Sequence, residues 1–275
     1  MRSTEPCNCV DRGDNVASKS IDFGIRLPDI FIKGFAGYGK NIIPLSFGAL
    51  LTLGSYAPFR FFAQQLQDGN SLTFRSIGVD IVGLVIAGTL AYPWYAYALR
   101  AYRGEEISLG APFAEPKKFL HQAVASFFFW AGFMLGIRYP IFGIPILSIL
   151  VLVSYAFHGF VVADTPLGGK KKKRVGGATY ALGTSVRLGE KRRFGLFAIA
   201  SLFMMFNVLG VAFGFAVGNT LLQYVIGVVG LSITTSVTMV GGAYIYDELV
   251  EKLPKGEQNT VVNTRAKKKR DKKRG

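Results

Sequence analysis

Six long apolar segments constrain this chain more than any other feature of its sequence. A helix needs about 20 apolar residues to cross a hydrocarbon core roughly 30 Å thick, and each segment reaches or approaches that length. Hydrophobic residues make up 50% of the chain, as expected of lipid-soluble helices. The sequence therefore predicts an all-α, polytopic membrane protein with six transmembrane helices. The predicted spans are about 42–59, 79–99, 119–137, 141–162, 194–216 and 221–246.

The distribution of basic residues predicts the orientation of these spans. Of the 32 Lys and Arg residues, 29 lie before the first span, in the second and fourth gaps, or in the C-terminal tail. The first, third and fifth gaps contain only three basic residues, Arg60, Arg75 and Arg138. Because short loops rich in Lys and Arg remain in the cytoplasm, we expect a multi-pass protein of the cell membrane with both termini cytoplasmic.

Short connections arrange the spans as three hairpins. Residues 138–140 separate spans three and four, and residues 218–220 separate spans five and six. Span one is expected to end near Pro58, which leaves a long outer loop at residues 60–77. Pro93 should kink span two or end its regular part.

Two further segments predict short amphipathic helices that lie in the membrane interface. In Ile21–Lys40 apolar residues recur at three- and four-residue steps, although Pro28 and several glycines would equally suit a loop. Thr179–Leu188 shows a similar pattern before span five. Residues 1–20 lack any helical or strand period and predict a flexible cytoplasmic leader. A single membrane domain is thus expected at 21–250, followed by a basic cytoplasmic tail at 251–275.

Two basic runs are candidate contacts for anionic lipid headgroups. Each positive charge near an anionic leaflet contributes about 1 kcal/mol of attraction. The alternatives are a signal that fixes orientation for the first run, and contact with RNA, the ribosome or a targeting receptor for the tail. Nucleic acid is not the expected partner, because no aromatic residue is interleaved for base stacking. The residues are Lys170, Lys171, Lys172, Lys173 and Arg174 in the fourth gap, and Lys267, Lys268, Lys269 and Arg270 in the tail.

Polar, uncharged side chains within the last two spans form a second candidate group. These are Asn207 in span five and Thr234, Thr235 and Thr238 in span six. In lipid such groups hydrogen-bond between adjacent helices, and glycines such as Gly210 and Gly230 predict that the two spans pack closely. The alternative is that the polar group lines a substrate cavity between the two spans.

Ionisable residues are rare within the spans. Asp80, Asp164 and Asp247 lie near span ends, where we expect interfacial residues instead of an ion path. His121 and His158 lie near the same end of spans three and four, but two histidines are too few for a zinc site. No metal or cofactor is therefore expected. No nucleophile–base pair, phosphate-binding loop or pair of acids occupies a plausible pocket, so we do not expect an enzyme.

The second half of the chain resembles a known family. Its motifs are Ile141–Pro145, Tyr155–His158, Val161–Asp164, Ala181–Ser185, Lys191–Arg193 and Gly242–Tyr246. They resemble the YciC-like integral membrane proteins, which are similar to the membrane domain that precedes some glycerophosphodiester phosphodiesterases. The resemblance implies a six-helix domain of a bacterial inner membrane, mostly without an assigned biochemical activity. This chain departs from it in the insertion at 168–174 and in the basic tail, and it has no phosphodiesterase domain.

These features together predict a non-enzymatic integral membrane protein that contacts lipid or organises a protein partner at its cytoplasmic face. The alternative is a small transporter or lipid-translocating protein with a polar cavity between spans five and six. The two hypotheses differ in which residues matter, since the first depends on the basic runs and the second on Asn207 and the threonines.

Overall fold

The computed structural model describes residues 25–66, 73–139, 144–165, 177–190, 192–215 and 220–253. They form α1 (Leu27–Lys40), α2 (Ile42–Gln65), α3 (Phe74–Leu90), α4 (Tyr92–Arg103), a 3-10 helix (Ala111–Ala114), α5 (Pro116–Arg138), α6 (Ile146–Tyr155), α7 (His158–Asp164), α8 (Ala178–Gly189), α9 (Arg193–Phe215) and α10 (Thr220–Glu251). Six spans are long and apolar enough to cross a membrane: α2, α3 with α4, α5, α6 with α7, α9 and α10. The predicted all-α, six-span fold is confirmed.

The spans pack as the three predicted hairpins. Helix α2 lies along α3, α5 along α6, and α9 along α10. The first two hairpins meet through α3 and α5, and the third joins them through α10 against α2 and α4. The end of the bundle at which α4 terminates is called the Arg103 end. The opposite end is called the Asp80 end. The leader, both basic runs and the tail beyond Leu253 lie outside the described residues.

The predicted end of span one near Pro58 is wrong. Helix α2 continues past Pro58 to Gln65, and α3 begins at Phe74. The residues after Pro58 remain apolar, and leaving the helix there would expose unpaired backbone groups to hydrocarbon. The outer connection is therefore much shorter than predicted, and Arg60 belongs to a helix instead of a loop.

Two spans are broken, and only one of the breaks was predicted. Span two breaks at Ala91, and Pro93 lies in the first turn of α4, where a missing N–H costs nothing. Span four breaks at Ala156–Phe157, between α6 and α7. There the Ser185 hydroxyl of α8 accepts a hydrogen bond from the Phe157 N–H (3.1 Å) and donates one to the Ser154 carbonyl (3.0 Å). Ser185 thus satisfies backbone groups that the break leaves unpaired.

Helix α1 confirms the amphipathic helix from Leu27 onward. Pro28 lies in its first turn, and the glycines allow close packing instead of making a loop. A Cβ atom on Gly34 would lie 2.7 Å from the Val237 carbonyl oxygen, and one on Gly37 would lie 2.7 Å from a methyl group of Val240. Helix α1 therefore packs directly on α10. Its opposite face exposes Ile32, which is suited to lipid.

The densest packing lies toward the Arg103 end. Tyr92, Tyr97 and Tyr246 are among the largest fully buried side chains. By contrast, large apolar side chains remain exposed along the outside of the spans, including Phe74 (89%) and Met204 (69%). An exposed apolar surface of this extent is typical of a lipid-facing belt. The fold is thus a six-span bundle with an apolar exterior.

Candidate functional site

A buried ion-pair cluster joins three spans at the Arg103 end. The Arg103 guanidinium donates through Nε to Asp247 Oδ2 (3.1 Å) and through Nη2 to Asp247 Oδ1 (2.7 Å). Its Nη1 donates to Asp164 Oδ1 at 2.6 Å. The Tyr246 hydroxyl donates to the other oxygen of Asp164 at 3.2 Å. The side chains of Asp164 and Asp247 are 9% and 3% exposed, so the pairs are largely shielded from solvent.

Each member of this cluster lies at the end of a different hairpin. Arg103 ends α4 in span two, Asp164 ends α7 in span four, and Asp247 lies one turn from the end of α10 in span six. Removing one partner of a buried ion pair typically destabilises a protein by about 3–5 kcal/mol. The cluster therefore holds α4, α7 and α10 together at this end of the bundle. Asp164 and Asp247 lie near the ends of their spans, as predicted, but the prediction missed their burial against Arg103.

A second set of polar contacts, formed by Lys118, Glu115 and Tyr92, lies beside this cluster. Lys118, in the first turn of α5, contacts Glu115 Oε2 at 2.8 Å and donates to the Ala163 carbonyl at 2.9 Å. The Tyr92 hydroxyl donates to the same Glu115 oxygen at 2.9 Å. Burial alone raises the pKa of the Glu115 carboxyl, but the hydrogen bonds and charge of Lys118 outweigh it, so the pKa lies below its usual value. Glu115 is therefore held ionised at neutral pH.

Asp80 also differs from the prediction of an interfacial residue. It is 3% exposed and lies inside span two, because α3 begins six residues earlier at Phe74. Arg60 Nη1 donates to Asp80 Oδ2 at 3.0 Å, and the Tyr56 hydroxyl donates to Asp80 Oδ1, also at 3.0 Å. This ion pair ties α2 to α3 within the first hairpin.

A cavity of about 260 Å³ lies between the first two hairpins, with one residue of span six at its wall. It is lined mainly by apolar and aromatic residues of α2, α3, α4 and α5, together with His158 of α7 and Met239 of α10. Both tryptophans of the chain, Trp94 and Trp130, line it. None of its lining residues is Asp, Glu, Lys or Arg. The cavity is thus an uncharged space within the membrane-spanning part of the bundle.

Gln122 supplies the main polar group of this cavity. Its Nε2 donates to the Gly88 carbonyl at 3.0 Å and to Ser126 Oγ at 3.2 Å, and lies 3.4 Å from His158 Nε2. His158 Nδ1 lies 2.7 Å from the Tyr155 carbonyl, which requires a proton on Nδ1 and makes Nε2 an acceptor. The Gly88 carbonyl and His158 Nε2, neither of which can donate, therefore fix the orientation of the Gln122 amide. His158 thus contacts Gln122 of α5, the residue that follows His121 in the chain.

Two polar atoms at the cavity have no hydrogen-bond partner among the described residues. They are Gln122 Oε1 and Trp94 Nε1, and their residues are 0% and 6% exposed. A buried polar group without a partner costs about 1–3 kcal/mol. The first atom can accept a hydrogen bond and the second can donate one.

The predicted polar group of spans five and six lies in a tight helix contact. A Cβ atom on Gly210 would lie 2.7 Å from the Gly230 carbonyl oxygen, which confirms the predicted close packing of α9 on α10. Asn207 Nδ2 donates to Thr238 Oγ1 at 3.5 Å, whereas Thr234 and Thr235 bond to carbonyls of their own helix. Asn207 Oδ1 is buried without a partner in the described part of the chain. A substrate cavity at this place remains a prediction.

The sequence did not point to the residues that the fold brings together. Arg103 counted only toward membrane orientation, and Gln122 received no role. One signal in the sequence could have revealed the ion-pair cluster. Arg103, Asp164 and Asp247 carry opposite charges and all lie at the same end of spans two, four and six. Within the described ranges, no group of three or more His, Cys, Asp and Glu side chains is placed to hold a metal ion.

Comparisons with protein-family models, curated proteins and solved structures find no match for this chain. The resemblance to the YciC-like family therefore stays a prediction. The functional argument rests on the chain's own geometry, which defines a six-span membrane protein with a buried ion-pair cluster at one end and an uncharged cavity inside.

Proposed function

We propose that this chain is a non-enzymatic membrane protein that binds anionic lipid headgroups through two basic runs at its cytoplasmic face. The observation that carries the proposal is the bridge formed by Arg103 between Asp164 and Asp247. Each basic run follows one of these carboxylates along the chain. The bridge therefore makes both runs start from one end of the bundle.

Chain length limits how far each run can extend from that end. Lys170 follows Asp164 by six residues, and Lys267 follows Leu253 by 14. An extended chain spans at most about 3.6 Å per residue, so the first run begins within about 20 Å of the cluster and the tail run within roughly 50 Å of Leu253. Their charges would add at one membrane surface, where each basic residue near an anionic leaflet contributes about 1 kcal/mol.

The orientation in this proposal follows from the same charges. The Arg103 end holds the N-terminal ends of α2, α5 and α9, next to the basic gaps, and the Asp80 end holds the gaps with few basic residues. The positive-inside rule then supports a cytoplasmic position for the Arg103 end and for both chain termini.

Lipid exchange in nanodiscs tests the proposal. The protein is placed in neutral lipid containing a small fraction of fluorescent anionic lipid, and energy transfer from its tryptophans to that lipid is measured against salt concentration. Replacing the five residues 170–174 and the four residues 267–270 by Gln should abolish the enrichment of anionic lipid. A control with the lysines of both runs replaced by Arg keeps the charge and should keep the enrichment.

The outcomes separate the proposal from its alternatives. Enrichment that falls with added salt and is lost only in the Gln variant supports headgroup binding. Enrichment that is unchanged in the Gln variant contradicts it. Loss of a co-purifying protein, with lipid enrichment unchanged, would favour a role in organising a protein partner instead.

A small transporter or lipid-translocating protein is the second candidate. One observation favours it, namely the buried and unpartnered Oδ1 of Asn207 beside the polar residues of α10. Replacing Asn207 and Thr235 by Leu should then abolish translocation of a labelled lipid or solute in proteoliposomes. Removing residues 265–275 should leave translocation intact, whereas a headgroup-binding protein should show the opposite sensitivity.

A further inference from the structure

We propose that the cavity between the first two hairpins is a binding site for a small neutral alcohol, with one hydroxyl group on an apolar body. This site does not involve the basic runs, so it stands or falls separately from the function proposed above. The inference depends on three features of the cavity: its charge, its pair of unpartnered polar atoms and its size.

The lining of the cavity favours an uncharged ligand. No residue with a permanently charged side chain lines it, and the nearby carboxylate of Asp80 already pairs with Arg60 and Tyr56. Burying an ion in such surroundings is costly without an opposite charge. A phosphate, carboxylate or ammonium head is therefore disfavoured here, in contrast to the headgroups proposed for the basic runs.

The unpartnered atoms favour a hydroxyl group as the ligand's polar end. Trp94 Nε1 can only donate a hydrogen bond, and Gln122 Oε1 can only accept one. The amide of Gln122 cannot turn over to hide this oxygen, because its Nε2 already donates to the Gly88 carbonyl and faces His158 Nε2. A hydroxyl group can accept a hydrogen bond from Trp94 Nε1 or donate one to Gln122 Oε1, so it suits either atom.

The remaining space favours a small apolar body. A volume of about 260 Å³ lies just below the range of roughly 300–1,000 Å³ that is usual for drug-sized ligands. It equals about nine water volumes at roughly 30 Å³ each, enough for a ligand of about ten non-hydrogen atoms. Phe129 and Trp130 offer aromatic surfaces to an alkyl or aryl group of that size.

Intrinsic fluorescence tests this site directly, because the chain contains only two tryptophans and both line the cavity. The full chain in nanodiscs is titrated with 6-bromo-1-hexanol, whose bromine quenches tryptophan. The matched control ligand is 1-bromohexane, which lacks the hydroxyl group. Both concentrations are expressed as mole fraction in the nanodisc lipid, so that different partitioning into the bilayer does not affect the comparison.

We expect saturable quenching by the bromoalcohol, with half-saturation at a mole fraction roughly tenfold or more below that of bromohexane. The preference reflects hydrogen bonding to the cavity's unpartnered polar atoms, which only the alcohol can make. Gln122→Met removes the acceptor at similar volume and should reduce the preference to near one. Trp94→Phe removes the donor, leaves Trp130 as the reporter and should also reduce the preference. Ser232→Ala, in α10 away from the cavity lining, should leave it unchanged, because its hydroxyl donates to the Val228 carbonyl of its own helix.

Non-saturating quenching that is equal for the two ligands would overturn the proposal, since it would mean that water or nothing fills the cavity. A preference that persists in both cavity variants would overturn the assigned atoms. Should Gln122→Met fail to fold, Trp94→Phe decides alone, because it tests the second of the two unpartnered atoms and retains a reporter.

Discussion

Arg103 and Asp247 lie 144 positions apart in the chain, yet the guanidinium of one donates two hydrogen bonds to the carboxylate of the other, at 3.1 and 2.7 Å. This paired geometry uses the planar fork of arginine, which lysine lacks. The third nitrogen of the guanidinium reaches Asp164 at 2.6 Å. One side chain thus connects spans two, four and six.

Replacement of Arg103 should destabilise the whole bundle. We expect Arg103→Gln to lower the free energy of unfolding by about 3–5 kcal/mol, because two buried carboxylates lose their partner. Arg103→Lys keeps the charge but loses the fork, so its effect should be smaller. Unfolding in mixed SDS and detergent micelles, followed by circular dichroism, measures both. Arg75→Gln at an exposed arginine should change the free energy by less than about 0.5 kcal/mol.

A double variant checks that charge pairing is the cause. Asp247→Asn added to Arg103→Gln removes one of the stranded carboxylates, so the double variant should be more stable than the sum of the two single changes predicts. Strictly additive effects would mean that Arg103 acts through packing alone.

The contact of Gly210 with Gly230 leaves no room for a side chain. Gly230→Leu should separate α9 from α10 and cost about 1–3 kcal/mol of unfolding free energy. Gly78→Ala is the matched control, because a Cβ atom there meets nothing within 4 Å. That substitution should be neutral or stabilise by up to about 1 kcal/mol. Equal effects at the two glycines would contradict the close packing of spans five and six.

The break in span four should depend on Ser185. Ser185→Ala removes the partner of the Phe157 N–H and the Ser154 carbonyl, and we expect a loss of about 1–3 kcal/mol. Thr89→Ala is the control, since Thr89 only donates back to the Val85 carbonyl of its own helix. Hydrogen exchange at Phe157 should rise in the Ser185 variant and stay unchanged in the control. Protection at Phe157 that survives Ser185→Ala would show that the hydroxyl is not needed.

Glu115 should give the fold a dependence on acidic pH. Its pKa is lower in the folded protein than in the unfolded chain, so its pairing with Lys118 stabilises the fold at neutral pH and is lost as the pH falls below about 4. Glu115→Gln should therefore lower the unfolding temperature more at pH 7 than at pH 3. A difference of the same size at both pH values would indicate a role other than charge pairing.

The spans could be predicted from sequence because the length and polarity of a membrane helix are local properties. The break at Pro93 was predicted for the same reason. The break at Phe157 was not, because its cause is the Ser185 hydroxyl, 28 positions further on. Pro58 led to the opposite error, because we predicted that the span ends there. The apolar residues after Pro58 keep the chain helical to Gln65.

The candidate sites were harder to predict because their partners are distant in the chain. Charge counting recognised Arg103 as basic, but its partners lie 61 and 144 positions away. The cavity needs residues from several helices, and no local pattern marks Gln122 as one of them. The predicted threonines of span six form mostly local hydrogen bonds, which sequence alone cannot distinguish from a cavity lining.

Native mass spectrometry from nanodiscs tests the central claim of headgroup binding most directly. The full chain is compared with a chain that ends at Thr264 and with one whose residues 170–174 are all Gln, in bilayers that mix neutral and anionic lipid. The account predicts that anionic lipid remains bound to the full chain, declines in each variant and is lost when both changes are combined. Equal retention of anionic lipid in all four proteins, or a protein partner lost on truncation without any change in lipid, would contradict it.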